Sequence, residues 1–308
     1  MTPLSNQRIS SLRFSAPKSP PGAVAPPPPD LDLNPETILN EWYENCIWSS
    51  ILLREGHVIK CGGQHCLVDY AWLAAFNALG PDGLPPWLSV PRLYSELIEI
   101  DDEGDTLFAF AMERIKDPPA SKLVNFHSPH LNAEVASTIV KGIAKLREAT
   151  DKMAHLTGLL APGVSGLLPQ GHIFPGNYLS HTPDEKRSWT VSTQAELADI
   201  WEAKTRSSVQ DWEFACGDLS PGNVYLRLND QSGRLEHLTI ADFGYAMMMP
   251  KGYDFATLKL NSDGPGVKYP RVFTDPIMRA MVEDGSFDVG EDTFRKFKDF
   301  YEQSRWKK

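Results

Sequence analysis

Two short stretches restrict the fold of this chain more than any others: Cys216-Gly217-Asp218-Leu219-Ser220-Pro221-Gly222-Asn223, then Ile240-Ala241-Asp242-Phe243-Gly244. Between them Val224-Tyr225-Leu226-Arg227-Leu228 alternates as a strand does, and Leu235, Leu238 and Ile240 fit a returning partner. Asn229-Asp230-Gln231-Ser232-Gly233 supplies turn chemistry. A hairpin here brings Asn223 and Asp242 together in space, with Asp218 one loop away. Asn and Asp oxygens are hard ligands suited to Mg²⁺. The Asp218 carboxylate is suited to take or orient the proton of an attacking hydroxyl. Phosphoryl transfer asks a protein mainly for such positioning and charge neutralisation. The alternative is an ordinary hairpin with surface acids. A given tripeptide occurs by chance in roughly one in twenty-five chains of this length, and a D-x-x-x-x-N just upstream cuts that by about another factor of ten.

The loop Gly217-Asp218-Leu219-Ser220-Pro221-Gly222-Asn223 resembles the G-D-L-x-P-x-N signature of the aminoglycoside phosphotransferase and choline kinase-like family. Pro221-Gly222 inside the loop, and the lack of an Ala-Pro-Glu tripeptide after Asp242, favour that branch over protein kinases. The resemblance implies an α+β, two-lobed protein kinase-like fold, with a small β-rich N-lobe over 34–115 and a larger, mostly helical C-lobe over 116–308. It implies ATP-dependent transfer to a hydroxyl of a small molecule, assisted by Mg²⁺. Residue by residue, it makes Asp218 the base and puts Asn223 and Asp242 on Mg²⁺. Val58-Ile59-Lys60 resembles the strand whose Lys pairs with the nucleotide phosphates, and Asp69 is the acid that would hold Lys60. Val90-Pro91-Arg92-Leu93-Tyr94 resembles the family's next strand entry, with its first Pro missing. Phe110-Ala111-Met112-Glu113-Arg114-Ile115 resembles the strand into the interlobe hinge, so Met112, Glu113 and Ile115 are expected beside adenine. The likeness extends over roughly residues 40 to 260.

Three departures stand against that pattern. Cys216 replaces the His that normally opens the catalytic loop. The acid facing Lys60 is Asp69 rather than Glu; with Leu73 and Phe76 it forms a helical stripe, and one methylene less requires a closer helix. No glycine-rich phosphate-covering loop precedes Lys60, since Trp48 to His57 hold only Gly56, which reads as a hairpin turn. These departures motivate a rival reading, a pseudokinase of the same fold that binds nucleotide or protein. Retention of Asp218, Asn223 and Asp242 favours the enzyme.

Bulk properties narrow the remaining classes. A net charge of −10 over 308 residues argues against a nucleic-acid binder. No apolar run is long enough to span a bilayer, so no membrane association is expected. The four cysteines, Cys46, Cys61, Cys66 and Cys216, include no C-x-x-C pair and read as reduced thiols. Cys61, His65 and Cys66 lack a fourth ligand nearby for zinc. Met247, Met248 and Met249 read as adaptable core.

Residues 1–33 stand apart as a Pro-rich tail, expected to be extended and disordered. An SH3- or WW-type domain would recognise such a segment, but a solvated tail is the simpler reading. Arg8, Arg13 and Lys18 among serines, with no acid before Asp30, are compatible with a mitochondrial transit peptide; Pro3 and Pro17 interrupt it, and a cytoplasmic protein is expected. Helices are predicted from Pro35 through Tyr43, over 69–79, over 134–150, from the Thr193–Glu196 capping box through Trp201, and over 291–303. Strands are predicted over 90–100 and 106–115, and a long Gly- and Pro-rich loop over 161–183.

Overall fold

The computed structural model describes residues 20–45, 51–102, 105–123, 133–153, 194–209, 211–263 and 269–304. The first helix, α1 (Pro35–Asn45), starts where a cap and a proline coincide. Asn34 Oδ1 accepts the N–H groups of Glu36 and Thr37 at 2.9 and 3.3 Å, and Pro35 occupies the first turn, where no amide donor is needed. β1 (Ile51–Leu53) and β2 (His57–Gly62) follow, joined through Gly56 at φ +81°. Helix α2 (Gln64–Ala78) begins immediately after, with only Gly63 between. β3 (Leu88–Ser89), β4 (Ile98–Asp102) and β5 (Asp105–Glu113) complete this part.

β1, β2, β5 and β4 form one antiparallel sheet in that order. Side chains alternate across it. Ile59, Cys61, Ala109 and Ala111 pack with Ile38 of α1, whereas Val58, Phe108 and Phe110 join Leu67, Tyr70 and Ala74 of α2 in the main core. Lys60 shares parity with Val58, so the strand delivers its ammonium to the α2 side.

The second part is mostly helical. α3 (Ala120–Leu123) and α4 (Ala133–Lys152) are followed by α5 (Gln194–Thr205), β6 (Trp212–Ala215), β7 (Val224–Leu228), β8 (Leu235–Ile240) and β9 (Met247–Pro250). α6 (Tyr253–Asp263), α7 (Arg271–Asp284) and α8 (Glu291–Ser304) close the chain. β3 runs parallel to β8, which pairs with β7, and β6 pairs with β9. The apolar stripe of α4, Val135, Ile139, Val140, Ile143 and Leu146, is fully inside. Met247 and Met249 are buried with Trp201, Tyr253 and Phe297, as core methionines should be. The α+β class expected from the sequence is the class observed, a β-rich part preceding a larger helical one.

An aromatic cluster welds the parts. Trp72 and Phe76 of α2 meet Phe214 of β6 edge-on at 4.7 and 5.7 Å, and Phe76 lies 5.4 Å from Phe243. Trp72 Nε1 donates to the carbonyl of Ala246 at 2.9 Å.

Three expectations need correcting. Residues 20–33 are not free of the fold: Val24 bridges Leu93, Ala25 N–H donates to Leu93 O at 2.8 Å, and Ala23 is buried. Gly22-Ala23-Val24-Ala25 is a proline-free window, and it restores the donors and small apolar groups that the flanking prolines lack. The strand predicted over 90–100 forms only from Ile98; before it, Pro91 removes a donor and Leu93 makes single bridges to Val24 and Met112. The helix predicted from residue 69 starts at Gln64. The loop predicted over 161–183, Cys46 and Thr193 lie outside the described residues.

Candidate active site

The hairpin that the sequence implied sets the geometry. Val224 pairs with Ile240, and Ala241 N–H donates to Asn223 O at 3.0 Å, so Asn223 and Asp242 leave the same end of the β7–β8 ladder. Asp242 lies at φ +61°, a left-handed conformation uncommon for a residue with a Cβ. That backbone turns its carboxylate toward Lys60.

Lys60 is buried, and its Nζ lies 2.7 Å from Asp69 Oδ2 and 2.8 Å from Asp242 Oδ1. The shorter acid reaches because α2 starts one residue after β2 ends, which brings the helix close to the strand. Asp69 Oδ1 also accepts the N–H of Phe243 at 2.7 Å. One carboxylate thus fixes both the lysine and the backbone of the Asp-Phe-Gly turn. Gly244 beside it fits closely: a Cβ there would lie 3.0 Å from His65 O and 3.2 Å from Asp242 Oδ1, tight contacts that the neighbours would have to relax. Burial opposes the charge on Lys60, but Asp242 and Asp69 outweigh it and hold the ammonium well above its ordinary value. Burial likewise lifts the Asp69 carboxyl. At Asp242 burial works the same way, yet the Lys60 charge prevails and keeps that carboxyl below its usual range. Asp242 retains 38% side-chain exposure, so it is the member of the trio that solvent or a ligand can reach. Burial, then the Lys60 charge, keeps the neighbouring His65 imidazole below its ordinary value and neutral.

Asp218 stands on a loop pinned from below. Asp254 of α6 accepts the N–H groups of Cys216 and Gly217 at 3.3 and 3.2 Å, and Arg147 of α4 donates to Asp254 Oδ2 at 3.2 Å. Arg147 also bonds Phe214 O at 3.0 Å and Glu213 Oε2 at 3.0 Å, with its guanidinium over the Phe287 ring. Residue 216 is therefore held through its main chain, and a Cys in place of His leaves that anchor intact. Burial pushes the Cys216 thiol far up, so it is no nucleophile. Gly217 has φ +74°, and a Cβ would meet Tyr245 O at 2.1 Å, so only glycine fits. At the loop's end Asn223 Nδ2 donates to Asp218 O at 3.0 Å and lies 3.3 Å from Asp218 Oδ2. Tyr269, just before α7, donates its hydroxyl to Asp218 Oδ1.

The hinge residues separate. Met112 belongs to the main core, paired with Val58, and Glu113 N–H is spent on Arg92 O at 2.8 Å. Ile115 alone of the three lines a cavity of about 640 Å³ with Gly56, Asp117, Pro119, Lys122 and Tyr225. Asp254, Arg147 and Tyr269 carry no local sequence signal for these contacts.

Among the described residues no three His, Cys, Asp or Glu side chains gather as a metal cage. Mg²⁺ is ordinarily held by one or two protein oxygens together with nucleotide phosphates and water, and the Asn223 amide and the reachable Asp242 carboxylate fit that chemistry. No described helix is long and apolar enough to cross a membrane.

No family model matches the chain, and no curated protein does. Among solved structures it is similar to an aminoglycoside-3'-phosphotransferase of type VIII, with 16% identity, a TM-score of 0.41, and 80% of this chain and 84% of that one covered. It is also similar to an aminoglycoside 2'-phosphotransferase-IIIa in its GDP complex, with 15% identity, a TM-score of 0.44 and 86% of each chain covered. A microcompartment-associated aminopropanol kinase shares 12% identity at a TM-score of 0.43, over 86% of this chain and 85% of its own.

Proposed function

We propose that this chain is an ATP-dependent phosphotransferase acting on a hydroxyl of a small molecule. The observation that carries the reading is Lys60, a buried ammonium bonded at once to Asp69 and to an Asp242 that lies 182 residues away. Burying a charge costs several kcal/mol unless it is paired, and one carboxylate would suffice for pairing. The second, half-open carboxylate is what a phosphate-and-metal site requires.

In this reading Lys60 contacts the α- and β-phosphates, and Asp69 keeps it aimed. Asn223 and Asp242 hold Mg²⁺, which when bound neutralises charge developing on the phosphates. Asp218 accepts the proton of the acceptor hydroxyl as the hydroxyl oxygen bonds to the γ-phosphorus and the bond from that phosphorus to the bridging oxygen breaks, releasing ADP; the pinned loop keeps the carboxylate in line. The Ile115 cavity next to the hinge is the place for the nucleoside.

A second reading, a pseudokinase that binds nucleotide or protein without turnover, is favoured by one observation: Tyr269 already sits on Asp218. Calorimetry of ATP binding, with and without Mg²⁺, on the wild type and on Asp242→Ala tests the first reading. Mg²⁺-dependent binding that the substitution removes supports it. Equal affinity of both proteins for Mg·ATP, or no binding by either, overturns it.

A further inference from the structure

We infer that Tyr269 is a positioning residue for the phosphoryl transfer: its core-held hydroxyl fixes one oxygen of the Asp218 carboxylate, so that the group meets the acceptor hydroxyl in a single orientation. The inference rests on the phosphotransferase reading above.

Tyr269 donates to Asp218 Oδ1, and Asn223 Nδ2 lies 3.3 Å from Oδ2 while it holds the Asp218 carbonyl at 3.0 Å. The two donors come from different elements, the approach to α7 and the end of the Asp218 loop, and together they set the plane of the carboxylate. Each carboxylate oxygen accepts two hydrogen bonds, and Asp218 stays half-buried with both donors in place, so an acceptor still has a route to it. Tyr269 itself is held firmly. Its ring is part of the main core and only 5% exposed. Its N–H reaches Asn261 O at 3.5 Å, and the next residue, Pro270, opens α7 by receiving the N–H groups of Phe273 and Thr274 at 2.9 and 3.2 Å. Burial, then the Asp218 charge, holds the phenol far above its ordinary value, so it keeps its proton and the acceptor proton goes to the carboxylate.

Phosphoryl transfer relies mainly on positioning, and a carboxylate on a half-open loop turns about its own side-chain bonds unless a fixed donor stops it. The Tyr269 hydroxyl is that donor. Water is the simplest acceptor on which the effect can be read. Its oxygen forms a bond to the γ-phosphorus as the bond from that phosphorus to the ADP bridging oxygen breaks. The water proton passes to Asp218 and then to solvent, leaving ADP and phosphate.

The test is phosphate release from Mg·ATP with water as the only acceptor. It is measured on the full chain for wild type, Tyr269→Phe, Asp218→Ala and the double variant, with melting curves to confirm folding. Tyr269→Phe keeps the core ring and removes only the donor. Its kcat should fall about tenfold, the low end of what one hydrogen bond to a charged group is worth, while KM for Mg·ATP stays the same. Asp218→Ala should lower release further, and adding Tyr269→Phe to it should change nothing more, because the tyrosine acts only through that carboxylate. A tyrosine that merely supported the fold would lower the melting temperature and cost activity in the Asp218→Ala background as well. Unchanged or faster release from a folded Tyr269→Phe, a change in KM alone, or a further loss in the double variant overturns the inference while leaving the phosphotransferase standing. A Tyr269→Phe chain that does not fold also overturns it, because the hydroxyl would then be structural, as does a wild type that binds Mg·ATP yet releases no phosphate to water. Absence of Mg·ATP binding by the wild type overturns the phosphotransferase reading and this inference with it.

Discussion

Two cations organise this molecule, Lys60 buried and Arg147 partly buried, each between two carboxylates that differ in how completely they are enclosed. Arg147 joins Glu213, Asp254 and the Phe214 carbonyl, and Asp254 passes the constraint to the N–H groups of Cys216 and Gly217. Asp254 is wholly buried and Glu213 keeps 12% exposure. A planar guanidinium with several directed donors suits a fixed clasp of this kind. Lys60 joins Asp69, wholly buried, and Asp242, at 38% exposure. An ammonium is a compact charge that can redistribute among oxygens. The lower set therefore reads as framework and the upper as a site that trades one partner for a ligand. Position in the core does not separate them; the accessibility of the last carboxylate does.

The largest expected effect tests whether the two sets divide labour as described. Asp218 rides on the loop that the Arg147 set pins, but under the proposed function it serves the chemistry of the upper set. Asp218→Asn should cut turnover on an acceptor alcohol by about 10²–10⁴, the usual worth of a positioned base, and leave Mg·ATP affinity nearly unchanged. Loss of nucleotide binding in a folded Asp218→Asn protein would mean that loop and phosphate site are one unit, and the division would fail.

Next comes a matched pair of isosteric changes. Asp254→Asn leaves Arg147 short of charge and offers an amide N–H to the two main-chain donors, so stability in urea should fall by about 3 kcal/mol. Asp242→Asn leaves Asp69 on Lys60 and sits at an open position, so stability should change by less than about 1 kcal/mol. Mg²⁺-dependent ATP affinity should instead drop about tenfold or more through loss of ligand charge. The comparison breaks if the two variants lose stability equally.

How much of this was readable beforehand depends on the sequence distance over which each feature is encoded. Asp218, Asn223 and Asp242 lie in two short motifs flanking an alternating hairpin, and Lys60 with Asp69 lies on a strand and the helix that follows it. Local periodicity reports such neighbours directly. The Arg147 clasp joins residues 107 apart, and Asp254 reaches Gly217 across 37. No local pattern marks those partners, because only the packing of α4 on β6 and α7, and of α6 on α7, brings them together. Tyr269 escaped notice for the same reason, lying 51 residues from Asp218. The strap over 20–33 was misread because proline content dominates the composition while four proline-free residues make the contact.

A subtler change, Arg147→Lys, asks whether the lower clasp needs a fork or merely a charge. One ammonium cannot satisfy Phe214 O, Glu213 and Asp254 at once while lying over Phe287. The cost should be about 2 kcal/mol, roughly one charged hydrogen bond. A loss near zero would mean that charge alone holds the loop, and the geometric contrast between the two sets would weaken.

The smallest effect supplies the baseline. Lys145 and Glu148, one turn apart on α4, approach to 2.7 Å, the same separation as Lys60 and Asp69. Their side chains are 44% and 54% exposed, against 1% and 0% for the buried pair. In water the attraction between such charges is offset by solvation and by the entropy of two long side chains, so Glu148→Ala should change unfolding free energy by at most about 0.5 kcal/mol. Asp69→Ala, which leaves the buried ammonium only the half-open Asp242 and releases the Phe243 N–H, should cost several times more. Urea titrations of the two variants side by side would separate distance from burial as the source of the effect. Similar losses would sink the claim that enclosure, rather than contact, distinguishes the Lys60 set from an ordinary surface pair.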